Sequence, residues 1–412
     1  MQNRPGADRA LDLAAGRLLP IRRALLTPTG GLVILCITET VSWGLLYYSL
    51  PTALLPISRS TGWSPTLITG AFSAGMLVAA VAGIPTGRLL DRYGPGVTMT
   101  IGSVLGAIGL ASTAIAPGIV VFALGWLIAG VAKALVLYQT AFAAITLWYG
   151  ERRLRPLTIL TLAGGFASTI FAPLVAEAIT RWGWRISYLL MAAVVLIITA
   201  PLHALLLRLP WTGRSPDDAH DDSPTSTSSI HSVTRSARFR VLQAVMTAST
   251  LGMFAVTLNL VPLLTERGAS YRTAAIGLGL IGVGQVAGRL GFVIIPKRWG
   301  PTGRLVIIIG AAAAALLALA LLPGPLWLLL AFGIVIGMAR GCHTLVQATA
   351  VADRWGTRRF GTINGVFSAP LLVASALAPT VGTALGAAIG FGATATTMAV
   401  LVGAAALLGS RT

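Results

Sequence analysis

Long apolar runs alternate with short polar segments along the whole chain. A helix needs about 20 predominantly apolar residues to cross the hydrocarbon core of a bilayer, and twelve runs meet that need. Their approximate positions are 30–54, 66–86, 96–115, 119–147, 156–179, 186–207, 241–264, 273–295, 304–322, 326–350, 361–384 and 387–408. The pattern predicts an all-α membrane protein with twelve transmembrane helices. Spans 1 and 4 are longer than a bilayer requires, which predicts tilt or extension beyond the membrane.

The composition agrees with a lipid environment. Hydrophobic residues make up 55% of the 412 residues and charged residues 10%, whereas about a quarter of the residues of soluble proteins are charged. The two cysteines, Cys36 and Cys342, both fall inside apolar spans. These features exclude a soluble enzyme, a collagen-like chain and a disulfide scaffold.

The basic residues are distributed unevenly between the two sets of loops. The net charge of +18 comes from 30 Lys and Arg against 12 Asp and Glu, a balance that in a soluble protein would suggest a nucleic-acid partner. The termini and the loops of one side hold 23 of the basic residues, and the other loops hold 5. Cytoplasmic loops carry such an excess. We therefore predict a multi-pass plasma-membrane protein with both termini in the cytoplasm and no nucleic-acid partner.

One long polar stretch divides the chain into halves. Pro210–Ser236 is rich in Ser, Thr, Pro and Asp, the composition of a flexible linker. The expected organisation is a cytoplasmic N-terminal segment (1–29), a six-helix half (30–209), a cytoplasmic linker (210–238) and a second six-helix half (239–412). A metal site at the Asp and His residues of 217–222 is a less favoured alternative to a solvated linker. The Arg-rich N-terminus has no cleavage-site pattern, so no signal peptide is expected.

The two halves repeat at a shift of 206 residues. The aligned segments are Arg92-Tyr93-Gly94-Pro95 with Arg298-Trp299-Gly300-Pro301, Tyr149-Gly150 with Trp355-Gly356, Ala172-Pro173 with Ala378-Pro379, and Pro56 with Pro262. Four matches at one offset predict two homologous halves. Two such halves that rock about a site at their interface are the plan of many secondary transporters.

The loop after span 2 carries a more specific signal. Its sequence, Gly87-Arg88-Leu89-Leu90-Asp91-Arg92-Tyr93-Gly94, resembles the Gly-x-Leu-x-Asp-Arg-x-Gly signature of the major facilitator superfamily. With the twelve spans, the linker and the repeat, the resemblance covers essentially the whole chain and implies the fold of that superfamily.

The resemblance also implies a gating role for this loop in the transport cycle. Its gating residues would be Gly87, Arg88, Asp91, Arg92 and Gly94, with Asp91 as the central acceptor and glycines that permit close backbone approach. A basic loop that only sets topology is the alternative. Pro95-Gly96 replaces the basic residues that usually follow, and the second half has no aspartate here, so gating would rest on the first half.

Three further segments are similar to the monocarboxylate and oxalate/formate branch of the superfamily. They are Gly62-Trp63-Ser64, Trp148-Tyr149 followed by Arg152-Arg153, and Gly183-Trp184-Arg185. These loop segments indicate ancestry more than substrate, because function is decided by residues at the site.

Lys133 and Arg340 are the two basic residues that the loop count leaves unassigned, and both lie deep inside predicted spans at near-equivalent positions of the repeat. Each lies 14 or 15 residues from its cytoplasmic loop, roughly 21 to 22 Å into the membrane at 1.5 Å per residue. A cation at that depth costs about 2.5–3.5 kcal/mol, so each should face a polar cavity or a partner. The superfamily resemblance implies that spans 4 and 10 line a central cavity.

Polar side chains accompany both cations. Span 10 places Arg340, His343, Thr344 and Gln347 on one helical stripe, span 4 adds Tyr138, and Glu39 of span 1 lies near the midplane. We predict that Lys133, Arg340, His343, Tyr138 and Gln347 bind substrate and that Glu39 carries a proton, with His343 as a second candidate. The alternatives are structural pairs of Lys133 or Arg340 with Glu39 or a backbone carbonyl, and His343 as a packing residue.

The predicted cavity, with one acid and two bases, carries a formal charge of +1, which favours an anion. Lys133 would act as a point charge and Arg340 as a planar fork suited to a carboxylate. We predict a monomeric secondary transporter that binds a small-molecule substrate, an organic anion such as a monocarboxylate, within the lipid bilayer, coupled to protons or by exchange.

Proton-driven efflux of a drug or secondary metabolite is the alternative, and a cationic drug would depend mainly on Glu39. An enzyme or receptor is disfavoured because no nucleophile, base and orienter are arranged together. No nucleotide motif, cofactor or metal site is expected.

Overall fold

The computed structural model of this chain describes residues 27–209, 233–292, 299–355 and 360–412. Its regular secondary structure is helical in all four ranges. Most of the predicted N-terminal segment and linker, including the Asp and His residues of 217–222, lies outside them. The same is true of Arg298 and Gly356 in the second copy of the repeat.

The twelve predicted spans all correspond to helices. Within the described ranges, eleven helices are long and apolar enough to cross a membrane, and the 54-residue helix Arg155–Arg208 contains two of the predicted spans. We number them α1 Pro28–Thr61, α2 Pro65–Gly83, α3 Arg92–Ile115, α4 Ile119–Tyr149, α5 and α6 as the parts of Arg155–Arg208 before and after Gly183, α7 Ala237–Leu258, α8 Tyr271–Gly291, α9 Gly300–Leu321, α10 Leu326–Thr349, α11 Val366–Ile389 and α12 Phe391–Gly409. The all-α membrane architecture is confirmed.

Glycines with positive φ extend the sequence repeat to the backbone. The matching pairs are Gly62 and Gly268 (φ 75° and 83°), Gly94 and Gly300 (78° and 61°), and Gly183 and Gly390 (75° and 83°). Members of the first two pairs are 206 residues apart, and those of the third are 207 apart. Only glycine adopts this conformation without steric cost. The halves therefore turn at equivalent points.

The segment predicted as a loop after span 2 is helical up to Tyr93. Good helix formers such as Arg88 and Leu89 favour continuation, and the chain turns only at Gly94 (φ 78°, ψ 174°). A Cβ at Gly87 would meet no heavy atom within 4 Å, so no other backbone approaches Gly87 closely in this conformation. The Arg92 guanidinium lies 5.0 Å from the centroid of the Tyr93 ring. The Asp91 side chain is outside the described structure, and the gating role stays a prediction.

Corresponding helices pack in corresponding pairs. In the first half α2 packs on α4 and α3 on α6, as α8 packs on α10 and α9 on α12 in the second. The halves meet where α5 packs on α8 and where α2 packs on α11. Thr169 donates to the carbonyl of Gly279 (2.8 Å) in the first contact, and Thr380 donates to Ser73 (2.7 Å) in the second. In the repeat α5 corresponds to α11 and α2 corresponds to α8, so the two contacts between the halves are equivalent. The bundle therefore has an approximate two-fold symmetry.

Glycines allow the closest helix approaches in both halves. A Cβ at Gly130 of α4 would come closer than 3.0 Å to the carbonyl oxygen of Gly75 of α2. A Cβ at Gly337 of α10, the equivalent position, would likewise come closer than 3.0 Å to the carbonyl oxygen of Ile281 of α8. Small residues drive helix association in membranes by this close approach.

We expect Gly337→Ala to destabilise the protein, because a backbone carbonyl cannot move aside as a side chain can. Overpacking of this kind costs about 1–3 kcal/mol, which thermal unfolding in detergent measures as a lower midpoint. Gly310→Ala in α9 is the control, since a Cβ there meets no atom within 4 Å. Equal midpoints for the two variants would contradict the packing argument.

Candidate functional site

A cavity of about 320 Å³ lies between the two halves. The first half contributes a wall of large side chains: Trp43, Tyr47 and Tyr48 from α1, Met76 from α2 and Tyr138 from α4. The second half contributes the cationic and amide side chains: Gln285 and Arg289 from α8 and Arg340, His343 and Gln347 from α10. Both halves therefore touch whatever occupies the cavity.

The predicted polar stripe of span 10 lies along the cavity wall. Arg340, His343, Thr344 and Gln347 all line it, because α10 is regular from Leu326 to Thr349 and residues at i, i+3, i+4 and i+7 then share a face. Tyr138 also lines the cavity. The structure thus brings together four of the five residues predicted to bind substrate.

Arg340 is buried without a carboxylate. Its guanidinium carbon lies 4.1 Å from the centroid of the Phe254 ring, and Nη1 donates to the Thr257 hydroxyl (3.0 Å). Its Nε has no hydrogen-bond partner. A guanidinium has five N–H donors, so capacity for an anion remains.

His343 is both a packing residue and a cavity residue. Its Nε2 lies 2.9 Å from Oγ of Ser249, and that hydroxyl donates to the carbonyl of Met246 (3.1 Å). The hydrogen bond to Ser249 fixes the imidazole against α7, and the ring nitrogen that it does not use, Nδ1, can take part in a further hydrogen bond.

Arg289 is a cavity residue that the sequence pattern did not identify. It is one of the 23 basic residues assigned to the cytoplasmic side, yet it lies in the last turn of α8 and lines the cavity. Its Nη1 donates to the carbonyl of Thr161 in α5. Gln285, one turn earlier, lines the cavity too. Two polar residues at i and i+4 in an otherwise apolar, glycine-rich span were the available signal.

Two glycines of α5 make room for these side chains. A Cβ at Gly164 would come closer than 3.0 Å to the Tyr138 hydroxyl, and a Cβ at Gly165 would lie 3.0 Å from Nη1 of Arg289. Both glycines line the cavity. Larger residues at either position would displace a polar group from the wall.

Lys133 lies behind the cavity wall rather than in it. Its Nζ is 4.2 Å from the centroid of the Phe72 ring, 4.8 Å from that of Trp126 and 3.7 Å from the sulfur of Met76. Only 2% of the residue is exposed. Ring faces stabilise a desolvated cation, and the Phe72 and Trp126 rings do so for the Lys133 ammonium group. Met76, which lines the cavity, separates Lys133 from it.

A break in α4 explains the different positions of Lys133 and Tyr138. The first helical segment ends at Val136, Leu137 is extended (ψ −175°), and a new segment starts at Tyr138. The break changes the rotational phase of the helix. Lys133 consequently points toward α2, whereas Tyr138 reaches the cavity.

A π-helical turn shapes the wall that α1 presents. The turn runs from Trp43 to Tyr48, and such wide turns are frequent at functional sites. It allows the neighbours Tyr47 and Tyr48 to line the cavity together with Trp43.

Glu39 is fully buried one turn before Trp43. Its exposed fraction is 0%, and neither carboxyl oxygen has a hydrogen-bond partner. The salt bridges of the described residues both involve Glu177, with Arg181 (2.7 Å) and with Arg272 (3.5 Å). The alternative that pairs Glu39 with Lys133 or Arg340 is therefore wrong for this conformation.

The charge of the cavity differs from the predicted +1. Arg289 and Arg340 line it, while Glu39 and Lys133 do not, and no Asp or Glu is among the described lining residues. With His343 neutral, the formal charge of the wall is +2. Within the described part of the chain, no three His, Cys, Asp or Glu residues are grouped to hold a metal ion.

Comparisons with known proteins agree with this architecture. The family model described as Major Facilitator Superfamily matches residues 32–368. Human "Monocarboxylate transporter 11" is 28% identical over 274 residues, which cover 66% of this chain and 55% of that protein. The match thus spans about half of the relative's length. An "Uncharacterized 38 kDa protein in 23S RNA operon" of Thermoproteus tenax is 26% identical over 357 residues, 86% of this chain and 85% of that one.

A solved structure shares the fold. It is the crystal structure of a bacterial homologue of the human lysosomal transporter Spinster, in an inward-facing and unoccupied conformation. The superposition has a TM-score of 0.71 and covers 93% of this chain and 96% of that one, at 15% sequence identity.

Proposed function

Because the chain belongs to the Major Facilitator Superfamily, whose model matches residues 32–368, we propose that it transports a small organic anion such as a monocarboxylate across the plasma membrane. The chain is a transporter rather than an enzyme. Its two halves would expose the cavity to either side in turn, as in alternating access. The loop charges support cytoplasmic termini in this proposal.

The cavity charge is the observation that carries the proposal. Arg289 and Arg340 line one cavity, and no carboxylate among the described residues lines it with them. Holding cations within the membrane is costly, and a bound anion would offset that cost. Guanidinium groups bind carboxylates through two parallel hydrogen bonds. The name of the human relative supports the same class of substrate.

Glu39 is the proposed proton carrier. An ionised carboxylate without a partner in an apolar site is very costly, so we infer that this conformation holds Glu39 as the neutral acid. A conformation that hydrates the carboxyl would release the proton. Substrate exchange without net proton movement is the other mode of coupling.

Efflux of a drug or secondary metabolite remains an alternative direction of transport for an anionic cargo. A lipophilic cation fits poorly, because it would meet two guanidinium groups and, among the described lining residues, no acid. Like charges in one cavity disfavour binding by several kcal/mol.

Thermal unfolding of the purified protein in detergent tests the proposal. We expect carboxylates such as lactate, pyruvate and benzoate to raise the midpoint, while neutral sugars and tetraphenylphosphonium leave it unchanged. A ligand at a hundred times its dissociation constant stabilises by about 2.7 kcal/mol. Sodium chloride at equal ionic strength is the control. Stabilisation by the cation and not by the carboxylates would overturn the proposal.

A further inference from the structure

The two halves contribute chemically different walls to the cavity. The first half supplies the rings of Trp43, Tyr47, Tyr48 and Tyr138 and contributes no charged side chain among the lining residues that the structure describes. The second half supplies both guanidinium groups, the imidazole, two side-chain amides and two leucines, and its one phenyl ring among the described lining residues, Phe254, lies against the Arg340 guanidinium. A ligand that touches both halves therefore meets an aromatic surface on one side and cations on the other.

The aromatic wall is built as one connected surface. The ring centroids of Trp43 and Tyr138 are 5.1 Å apart, those of Trp43 and Tyr47 are 5.2 Å apart, and those of Tyr47 and Tyr48 are 5.1 Å apart. Phe142 stacks on Tyr138 at 5.1 Å with an angle of 12° between the planes. Rings that hold one another offer a preorganised face, and aromatic pairs prefer centroid distances of about 4.5–7 Å.

The cavity volume exceeds the needs of a short-chain carboxylate. The cavity volume is about 320 Å³. Pockets that enclose drug-sized ligands begin at about 300 Å³. Acetate or lactate on the guanidinium groups would leave water against the rings, whereas a ligand with an aryl group would displace it.

We propose that the substrate is an amphipathic aromatic carboxylate, with its carboxylate on Arg289 and Arg340 and its ring on the wall of Trp43, Tyr47 and Tyr138. The inference rests on the proposed function and adds the size and polarity of the substrate. One ligand then binds the two halves through different chemistry. The aryl group contacts the first half and the carboxylate contacts the second, so a ligand with both groups should bind more tightly than a ligand with either one alone.

A series of ligands that share one carboxylate and differ in their aryl group tests this inference in the purified wild-type protein. Acetate, benzoate, 3-phenylpropanoate and indole-3-acetate are compared by the midpoint shift across a concentration series, with benzamide and benzylamine as neutral and cationic aryl controls. Burial of a phenyl-sized group predicts an affinity roughly tenfold to hundredfold higher for the aryl carboxylates than for acetate. Benzamide and benzylamine should give no comparable shift.

The variant Trp43→Ala tests whether the aryl group of the ligand binds to the aromatic wall. It should remove most of the advantage of 3-phenylpropanoate over acetate, because the affinity for 3-phenylpropanoate falls far more than the affinity for acetate. Trp327→Ala is the matched control, because Trp327 is 68% exposed and lies outside the cavity. Tyr138→Leu provides a second substitution in the wall if Trp43→Ala does not fold.

The relative affinities of these ligands distinguish failure of this inference from failure of the proposed function. Equal affinities for acetate and the aryl acids would overturn the inference and leave the proposed function intact. Benzamide binding as tightly as benzoate would also overturn it, since the carboxylate pole would be unnecessary. Failure of every carboxylate to stabilise the protein would instead reject the proposed function itself.

Discussion

Arg289→Gln with Arg340→Gln is expected to abolish carboxylate binding. Hydrogen bonds to charged groups contribute about 1.5–3 kcal/mol each, so each single variant should lose roughly tenfold to a hundredfold in affinity. Glutamine keeps a polar side chain of good helix propensity, so the fold should persist. Arg340→Lys should fall between wild type and Arg340→Gln, because lysine keeps the charge but loses the planar fork. Calorimetric titration of the purified protein measures these affinities.

Two control variants test whether carboxylate binding depends on Arg289 and Arg340 specifically or on any basic side chain of the protein. Arg272→Gln should bind like wild type, since the Arg272 side chain is 76% exposed and pairs with Glu177. Lys133→Met should also keep its carboxylate affinity, because methionine suits a pocket of Phe72, Trp126 and Met76. Wild-type affinity in the double arginine variant would reject the cationic wall as the binding site. Loss of affinity only in Lys133→Met would indicate that the carboxylate binds at Lys133 of α4 instead.

The transmembrane plan could be predicted from the sequence because lipid imposes a simple constraint. Every backbone polar group inside a bilayer needs a partner within the chain, so an apolar run of sufficient length becomes a helix. The repeat at 206 residues could also be recognised in the sequence, because both halves keep a glycine where the chain turns, Gly94 in the first and Gly300 in the second. The polar stripe of span 10 reached the cavity because α10 has no interruption.

Positions that depend on helix breaks or on distant helices could not be predicted in this way. The extended residue Leu137 changes the phase of α4, so spacing alone could not separate Lys133 from Tyr138. Arg289 sits in the last turn of α8, where a basic residue normally marks the cytoplasmic boundary. Its place in the cavity follows from the packing of α8 on α5, a contact between the halves that hydropathy does not contain.

The buried carboxyl of Glu39 has the features required of a proton carrier. It lies one turn from Trp43, whose side chain lines the cavity, and both of its oxygens lack a hydrogen-bond partner. Glutamine has nearly the shape of the neutral acid but cannot release a proton. The variant Glu39→Gln should therefore fold and bind carboxylate while remaining fixed in the protonated-like state.

We expect Glu39→Gln to eliminate accumulation driven by a pH gradient while preserving exchange of substrate. A gradient of one pH unit supports about tenfold accumulation when one proton moves with each substrate, and the variant should show none. Uptake of a labelled aryl carboxylate into proteoliposomes, with and without the gradient, measures the effect. Glu177→Gln is the control, since Glu177 forms a bridge with Arg181 outside the cavity. Undiminished accumulation in Glu39→Gln would exclude Glu39 as the carrier, because the glutamine amide cannot take up and release a proton.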